Sequence, residues 1–335
     1  MGIKIGSVNA DTSVKLGATN IQSGYIGYNL IFGSQLLNIL DIYGSAHHAY
    51  SLRKLRGAYT GACLRVRRTT TTPTVTTTTV DVRFNSNGTI GLDSLIDPVS
   101  GTPSSAINLG QFCASTLNGY TNPDLVNINQ NIFVVTWFDQ SGNGKNPTNA
   151  TAGQQPRLVN GGNLELSGGK VAVRFTRASS QNLNLADTTA NINNMSSYWV
   201  GQFLSTTGSQ IGYLLSPTTP NGRFYFPYNT ANIAYDAYGS TLTQLFYEVT
   251  PITRRLYELI APDPEFGQVR GWSNGVQTGN TAVLRTQTIS NIQIGTGATN
   301  YFDGYIQEII GYQSNTNRLE KETNINAYWQ IYTPI

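Results

Sequence analysis

Residues 134–146 read VVTWFDQSGNGKN, a β-type apolar run that ends at an acid and a glycine-rich turn. An acid at the end of a buried strand has three open roles: catalysis, a ligand or calcium contact, or fixing the turn. The turn role is favoured, because Asp139 can accept hydrogen bonds from the backbone of the Ser-Gly turn that follows it. Gly142 and Gly144 are then expected at positive φ, which glycine adopts without strain.

Similar short β runs follow one another from residue 60 to residue 312, separated by Gly, Pro, Asn and Asp. They include ACLRVR, IFVVTWF, VAVRF, YWVGQF, RFYFPY, TQLFYEV and IQEIIGY. Strands at this spacing, without helices between them, predict an antiparallel sandwich or jelly roll. Of the 335 residues 39% are hydrophobic and only 12% are charged, which is typical of a large β protein and argues against disorder.

Charge and cysteine usage exclude several classes of function. The formal net charge of +3 is too small for a nucleic-acid footprint, and Arg65 and Arg67 of LRVRR are expected to pair with acids on one sheet face. No apolar stretch approaches the roughly 18 residues of a membrane helix, and the N-terminus lacks a signal-peptide pattern. Cys63 and Cys113 fit neither a disulfide framework nor a zinc site, so we expect buried free thiols, no metal and no cofactor.

The first 34 residues contain a short repeat. KLGATNIQSG (15–24) aligns with YIGYNLIFGS (25–34) at a period of ten, so that Leu16 matches Ile26 and Ile21 matches Ile31. Each unit predicts short strands and a turn, and the whole predicts a β-hairpin module over residues 1–34. Such strands bury too little to be stable alone, so the module is predicted to anchor the chain on a partner or a symmetry mate. The alternative is that it adds a strand or two to the main sheet.

Residues 35–60 are predicted to connect this module to the main domain through a short helix. Ser45 can cap AHHAYSLRKLR and Gly57 can end it. His47 and His48 would lie in the first turn, about 100° apart around the helix, and would be poorly placed to share a metal.

A second helix is predicted within NTNRLEKETNINAYWQIY (315–332). Asn317 and Glu320 match an N-x-x-E capping box. An apolar face should pack back onto the sandwich, and it consists of Leu319, Ile325, Tyr328 and Trp329.

Several segments resemble a known family. They are AYSLRKLRGAYTGACLRVRR (49–68), VVTWFDQSGNGKN (134–146), QPRLVNGG and GGKVAVRF (within 155–175), and YFDGYIQEIIGYQSNTNRLEKETNINAYW (301–329). They resemble the concanavalin A-like or laminin G-like sandwich of phage structural proteins, which is related to the catalytic domain of family B α-L-arabinofuranosidases. This resemblance implies a mainly β jelly-roll sandwich over residues 61–335, closed by the C-terminal helix.

The hairpin repeat is similar to the short module that precedes this domain in phage head or tail appendage proteins. The resemblance implies a virion protein, assembled in the host cytoplasm, whose partners are other capsid or tail proteins. Exposed strand edges favour a homo-oligomer, and a trimer is among the forms open to a viral appendage.

Retaining glycoside hydrolysis needs two carboxyl groups about 5 Å apart. In the arabinofuranosidases the acid follows a glycine pair before the F-x-G strand, whereas IGTGATNYFDG (294–304) has no acid before Asp303. The segment of the nucleophile corresponds to NIAYDAYGS (232–240), which offers only Asp236. Cys113 matches a family cysteine, but no second cysteine follows to close the family's disulfide loop, as expected in a reducing compartment. We therefore expect no hydrolase activity, which would require Asp236 to converge with Asp303 or Glu308.

Glycan binding is the remaining function that the sequence suggests. GRFYFPYNTANIAYDAYG (222–239) supplies aromatic rings among amides, and its candidate residues are Tyr225, Tyr228, Tyr235, Asp236 and Tyr238. Rings stack on sugar faces and amides bind hydroxyls, although packing within the sheet would also explain the tyrosines. The predicted function is a capsid decoration, head fibre or tail fibre protein with a lectin-like sandwich that binds host-surface or environmental glycans. The alternative is an arabinofuranosidase-like hydrolase.

Overall fold

The computed structural model describes most of the main domain and four short strands before it. The described ranges are 14–16, 19–21, 24–26, 29–32, 38–44, 46–70, 76–101, 106–114, 130–186, 195–205, 210–217, 223–228, 232–236, 243–246, 253–261, 267–281, 289–297 and 300–333.

The N-terminal segment forms two hairpins. Their strands are β1 (Val14–Leu16), β2 (Thr19–Ile21), β3 (Gly24–Ile26) and β4 (Asn29–Phe32). β1 pairs with β2 and β3 pairs with β4, both antiparallel, as two separate two-stranded sheets. Leu16, Ile21, Ile26 and Ile31 therefore fall one to each strand.

The rest of the chain is β-rich, with three short α-helices among the described residues. The helices are α1 (Ile39–Ile42), α2 (Leu109–Ala114) and α3 (Arg318–Trp329). The strands up to residue 186 are β5 (His48–Ser51), β6 (Leu64–Thr70), β7 (Thr76–Val82), β8 (Ile96–Ser100), β9 (Ile132–Trp137), β10 (Arg157–Asn160), β11 (Asn163–Leu164), β12 (Leu166–Ser167), β13 (Lys170–Val171), β14 (Val173–Phe175) and β15 (Leu183–Ala186). The later strands are β16 (Met195–Phe203), β17 (Ile211–Pro217), β18 (Arg223–Tyr228), β19 (Asn232–Asp236), β20 (Thr243–Phe246), β21 (Arg254–Ala261), β22 (Val269–Ser273), β23 (Val276–Thr281), β24 (Ile289–Ile294), β25 (Thr296–Gly297), β26 (Asn300–Tyr301) and β27 (Gly304–Tyr312).

Two antiparallel sheets form the sandwich. The larger one has 13 strands in the order β23-β22-β21-β16-β27-β14-β10-β9-β6-β7-β8, with β11 paired to β10 and β5 paired to β27. The smaller one has six strands in the order β15-β24-β17-β18-β19-β20. The predicted mainly β sandwich fold is confirmed.

Aromatic rings fill the space between the two sheets. Trp199 of β16 stacks on Tyr257 at 5.2 Å between centroids and meets Phe302 edge-on at 5.9 Å. Ile292 and Ile294 of the small sheet are fully buried, whereas Gln293 between them is half-buried. This alternation shows that one face of the small sheet packs on the large sheet, because successive strand residues point to opposite faces.

Helix α3 covers the other face of the large sheet. Ile325 and Trp329 are buried as predicted, but Leu319 is 39% exposed and does not belong to the packed face. Polar contacts complete the interface: Lys321 Nζ lies 4.0 Å from the centroid of the Tyr312 ring on β27. The predicted capping box is wrong, because Asn317 adopts a left-handed conformation with φ 56° and its side chain makes no capping bond.

The predicted helix from Ser45 to Gly57 is also wrong. Residues 48–51 form β5, which pairs with β27 in the register Ile309 to Tyr50 and Glu308 to Ser51. All four residues of β5 are buried. A strand that is buried on both faces does not alternate between polar and apolar residues, so its sequence does not show the usual strand pattern. Pairing with the central strand β27 outweighs the local helix propensity.

Arg65 pairs with Asp81 at 2.7 Å, as predicted, whereas Arg67 has a different environment from the one expected. Its guanidinium donates to the Gln155 side chain and to the Ala152 carbonyl at 2.6 Å. Cys63 and Cys113 are buried free thiols, as predicted. Within the described ranges, no helix is long and apolar enough to cross a membrane.

Candidate functional site

Asp139 ends β9 and organises the turn that follows it. Its Oδ1 accepts from the backbone N–H of Ser141 at 2.9 Å, and its Oδ2 accepts from the Ser141 hydroxyl at 2.6 Å and from the Lys145 N–H at 3.1 Å. Gly142 and Gly144 adopt φ of 93° and 70°. The carboxylate is 4% exposed, and both of its oxygens serve the backbone of this turn.

The same turn holds β5 in place. Asp139 Oδ1 also accepts from the Ala49 N–H at 2.8 Å, and the Gln140 side chain donates to the Ser51 and Arg53 carbonyls at 3.0 Å each. These bonds satisfy backbone groups of β5 and of the residues just after it on the side away from β27. A buried unpaired backbone group costs about as much as a lost hydrogen bond, so the turn makes burial of β5 possible.

The two histidines lie in and just before β5 and form a buried polar link between the sheets. His47 Nδ1 and His48 Nδ1 are joined by a hydrogen bond of 2.9 Å, and His48 Nε2 is hydrogen-bonded to the hydroxyl of Tyr213 on the small sheet. The two histidines therefore do not lie in the first turn of a helix, contrary to the prediction from the sequence. Among the described residues, no group of three or more His, Cys, Asp or Glu side chains could hold a metal ion.

The carboxylates of the hydrolase alternative are engaged in ion pairs wherever their side chains are described. Asp303 Oδ1 accepts from Arg174 Nη2 at 2.6 Å. Glu308 is fully buried and accepts from Arg53 Nε at 2.7 Å and Nη2 at 3.0 Å, and from the Ser51 hydroxyl at 2.7 Å. Both oxygens of Glu308 are occupied by these hydrogen bonds, which leaves the carboxylate poorly placed to act as a general acid or base.

Asp236, the third residue of that alternative, ends β19. The backbone register pairs it with Arg223 of β18.

The backbone register of the small sheet divides the predicted tyrosines between two faces. Tyr213, which is buried against the large sheet, pairs with Phe226, and Tyr228 pairs with Ile211 and Asn232 beyond a shift in the β18–β19 register. Tyr235 pairs with Phe224 and shares this inner face, whereas Tyr225 pairs with Leu214 and Ala234 on the opposite face. Tyr238 lies outside the described residues.

The opposite face, here called the outer face, carries a continuous row of residues across all six strands. In strand order, the row is Asn184, Gln293, Leu214, Tyr225, Ala234 and Gln244. Arg223 and Asp236 form the neighbouring cross-strand pair on this face. Sequence reasoning missed the amides, because they come from three strands that are far apart in the chain.

Comparisons with known proteins support the architecture. No family model matches the chain, and no curated protein does. Among solved structures, a family 54 α-L-arabinofuranosidase soaked with a cyclic sulfate inhibitor matches with a TM-score of 0.52 at 15% identity, over 86% of this chain and 63% of that one. An arabinofuranosidase complexed with arabinofuranosyl-α-1,2-xylobiose matches with the same TM-score and identity, over 86% of this chain and 64% of that one.

A weaker match is domain 4 of the extracellular arabinanase AbnA from Geobacillus stearothermophilus, with a TM-score of 0.39 and 14% identity. It covers 47% of this chain and 78% of that one. The chain spans less than two thirds of the arabinofuranosidases that it matches, and the likeness to them establishes the β-sandwich fold.

Proposed function

We propose that this protein is a glycan-binding, lectin-like sandwich displayed on a phage particle, and that the outer face of the small sheet is its binding surface. The observation that carries the proposal is the cross-strand row in which Tyr225 lies between Leu214 and Ala234, with Gln293 and Gln244 each one strand further out. The Arg223–Asp236 pair adds charged hydrogen-bonding groups beside it.

This composition suits carbohydrate recognition. An aromatic ring covers the apolar face of a sugar, while amide groups donate to and accept from its hydroxyls. The binding strength of one such site is small, but many copies on one particle raise the overall avidity by about 10² to 10⁴. The sandwich would thus bring the particle to a surface that repeats the same sugar.

The proposal is for binding without hydrolysis. Two acids that the hydrolase alternative could use, Asp303 and Glu308, are held in ion pairs with Arg174 and Arg53. One arabinofuranosidase of this fold was solved with arabinofuranosyl-α-1,2-xylobiose, so arabinose-containing glycans should be among the first ligands tested.

A glycan array probed with the tetramerised protein tests the binding surface. We expect signal that is lost in Tyr225→Ala and weakened in Asp236→Asn. Tyr235→Phe is the matched control, because Tyr235 lies on the inner face by register and only its hydroxyl is removed. A blank array with the multivalent protein, or equal loss in the control, would contradict the assignment.

Attachment to the particle is assigned to the hairpins of residues 1–34. Isolated two-stranded sheets are marginally stable in water, so β1–β2 and β3–β4 gain most by docking on another virion protein or on copies of themselves. The chain lacking residues 1–34 should fold and keep its glycan signal, but should no longer join particles. If the truncated chain still assembles, the anchor assignment fails while the binding surface remains open to its own test.

A further inference from the structure

A cleft of about 190 Å³ lies beside the end of helix α3, on the side of the large sheet away from the small sheet. Its walls are the end of β5, residues 89–90, the β12–β13 hairpin and the last turn of α3. A cavity of about 150 Å³ holds a benzene molecule, so this cleft has room for one six-membered ring. It is separate from the outer face of the small sheet.

The cleft combines an apolar floor with one cation. Leu52, Ile90 and Val171 supply the floor, and Lys170 and Tyr328 stand at its side. Lys170 Nζ lies 4.7 Å from the centroid of the Tyr328 ring. Within the described part of the chain, no carboxylate forms an ion pair with the Lys170 ammonium group, which lies against this ring.

Two arginines lie near Lys170, and one of them has no acid partner among the described residues. Arg53 lies 4.8 Å from the same Tyr328 ring, and its own charge is matched by Glu308. Arg254 binds the Trp329 and Gln330 carbonyls at the C-terminus of α3, at 2.6 Å and 2.9 Å, and has no acid partner among the described residues. Burial and then the charges of Arg254 and Arg53 lower the pKa of Lys170. An anion in the cleft would relieve this repulsion.

A second group in the cleft also lacks a partner. Trp329 lines the cleft and is 1% exposed, and its Nε1–H has no acceptor among the described residues. Buried donors are nearly always hydrogen-bonded, by protein or by a bound molecule. Thr89 also lines the cleft.

We propose that this cleft binds a carboxylate carried on a six-membered ring, with Lys170 pairing the carboxylate and the apolar floor receiving the ring. The ligand is either an acidic sugar residue or a compact apolar acid, since both present the same group at the same size. The site does not depend on the glycan-binding face proposed above. It lies on the opposite side of the sandwich, so one protein molecule can bind a ligand at each site at the same time.

Ligand-observed NMR on the full chain at neutral pH tests the site with three probes: glucuronate, cyclohexanecarboxylate and neutral methyl glucoside. We expect saturable binding of one or both acids, with a Kd on the order of 1 mM, and none of the glucoside. Binding of glucuronate alone identifies the sugar acid, and binding of cyclohexanecarboxylate alone identifies the apolar acid. Binding of neither acid, or equal binding of the neutral glucoside to the Tyr225→Ala chain, overturns the proposal.

Variants separate the cleft from the rest of the molecule. Lys170→Met should raise the Kd of the acid about tenfold to a hundredfold, which is the usual range for losing one charged hydrogen bond. Lys145→Met should leave the Kd unchanged. Val171→Phe should block the ring by filling the floor, with thermal unfolding used to show that the fold is intact. Tyr225→Ala should retain acid binding, which keeps this test apart from that of the outer face. Unchanged affinity in Lys170→Met would refute the assignment.

Discussion

The buried ion pair between Arg53 and Glu308 offers a direct test of how the large sheet holds helix α3. The Arg53 side chain is 4% exposed and that of Glu308 is fully buried, and two hydrogen bonds of 2.7 Å and 3.0 Å join them. Arg53 Nη1 continues the network to Asn324 of α3 at 3.0 Å. Removing one partner of such a pair leaves an uncompensated buried charge.

The unpaired charge sets the size of the expected loss in the free energy of unfolding. Arg53→Met and Glu308→Met should each lower the free energy of unfolding by about 3–5 kcal/mol, which is the usual cost of breaking a buried pair from one side. The double variant should be more stable than the sum of the two losses predicts, because neither charge is then left alone. Urea unfolding monitored by tryptophan fluorescence would measure this, since Trp137, Trp199 and Trp329 are all buried. Strict additivity of the two substitutions would refute the reasoning.

Three further predictions follow from the same structure. Burial and then repulsion from Glu322 raise the pKa of Glu258 to about 8, so the folded state keeps a proton that the unfolded chain has already lost. The Tm should therefore fall as the pH rises from about 5 to about 8, and Glu258→Gln should make the Tm less dependent on pH in that range. A Cβ at Gly295, which has φ 79°, would overlap the Phe175 ring, whereas one at Gly144 would meet open space, so urea unfolding should show Gly295→Ala losing about 1–3 kcal/mol more than Gly144→Ala. The purified chain should not release nitrophenol from an aryl α-L-arabinofuranoside, and turnover that disappears in Glu308→Gln or Asp303→Asn would reverse the non-catalytic assignment.

Local sequence patterns were reliable wherever a segment's structure is set by its own residues. The run before Asp139 is a strand and the glycines after it take positive φ, because an acid that caps a tight turn and glycines that relieve its strain act over a few bonds. The C-terminal helix was predictable for a similar reason, since Ile325 and Trp329 recur at helical spacing.

Errors arose where a distant partner decides the outcome. Residues 48–51 are a strand because β27, about 260 residues away, offers a buried edge to pair with, and Asp139 and Gln140 satisfy the other side. The capping box failed because residue 317 is left-handed where the chain turns from β27 into α3. No local window contains these causes.

For this protein, the sequence by itself determined the class of fold and the strand and turn positions around Asp139. Tertiary structure alone decided which side chains meet. It places Tyr225 and Tyr235 on opposite faces of the small sheet, and it brings Arg53 and Glu308 together beneath helix α3. It also leaves Lys170 beside an apolar cleft. The physical reason is that strand period and turn chemistry are short-range properties, whereas a surface or an ion pair depends on the register of strands that the chain brings together from far apart.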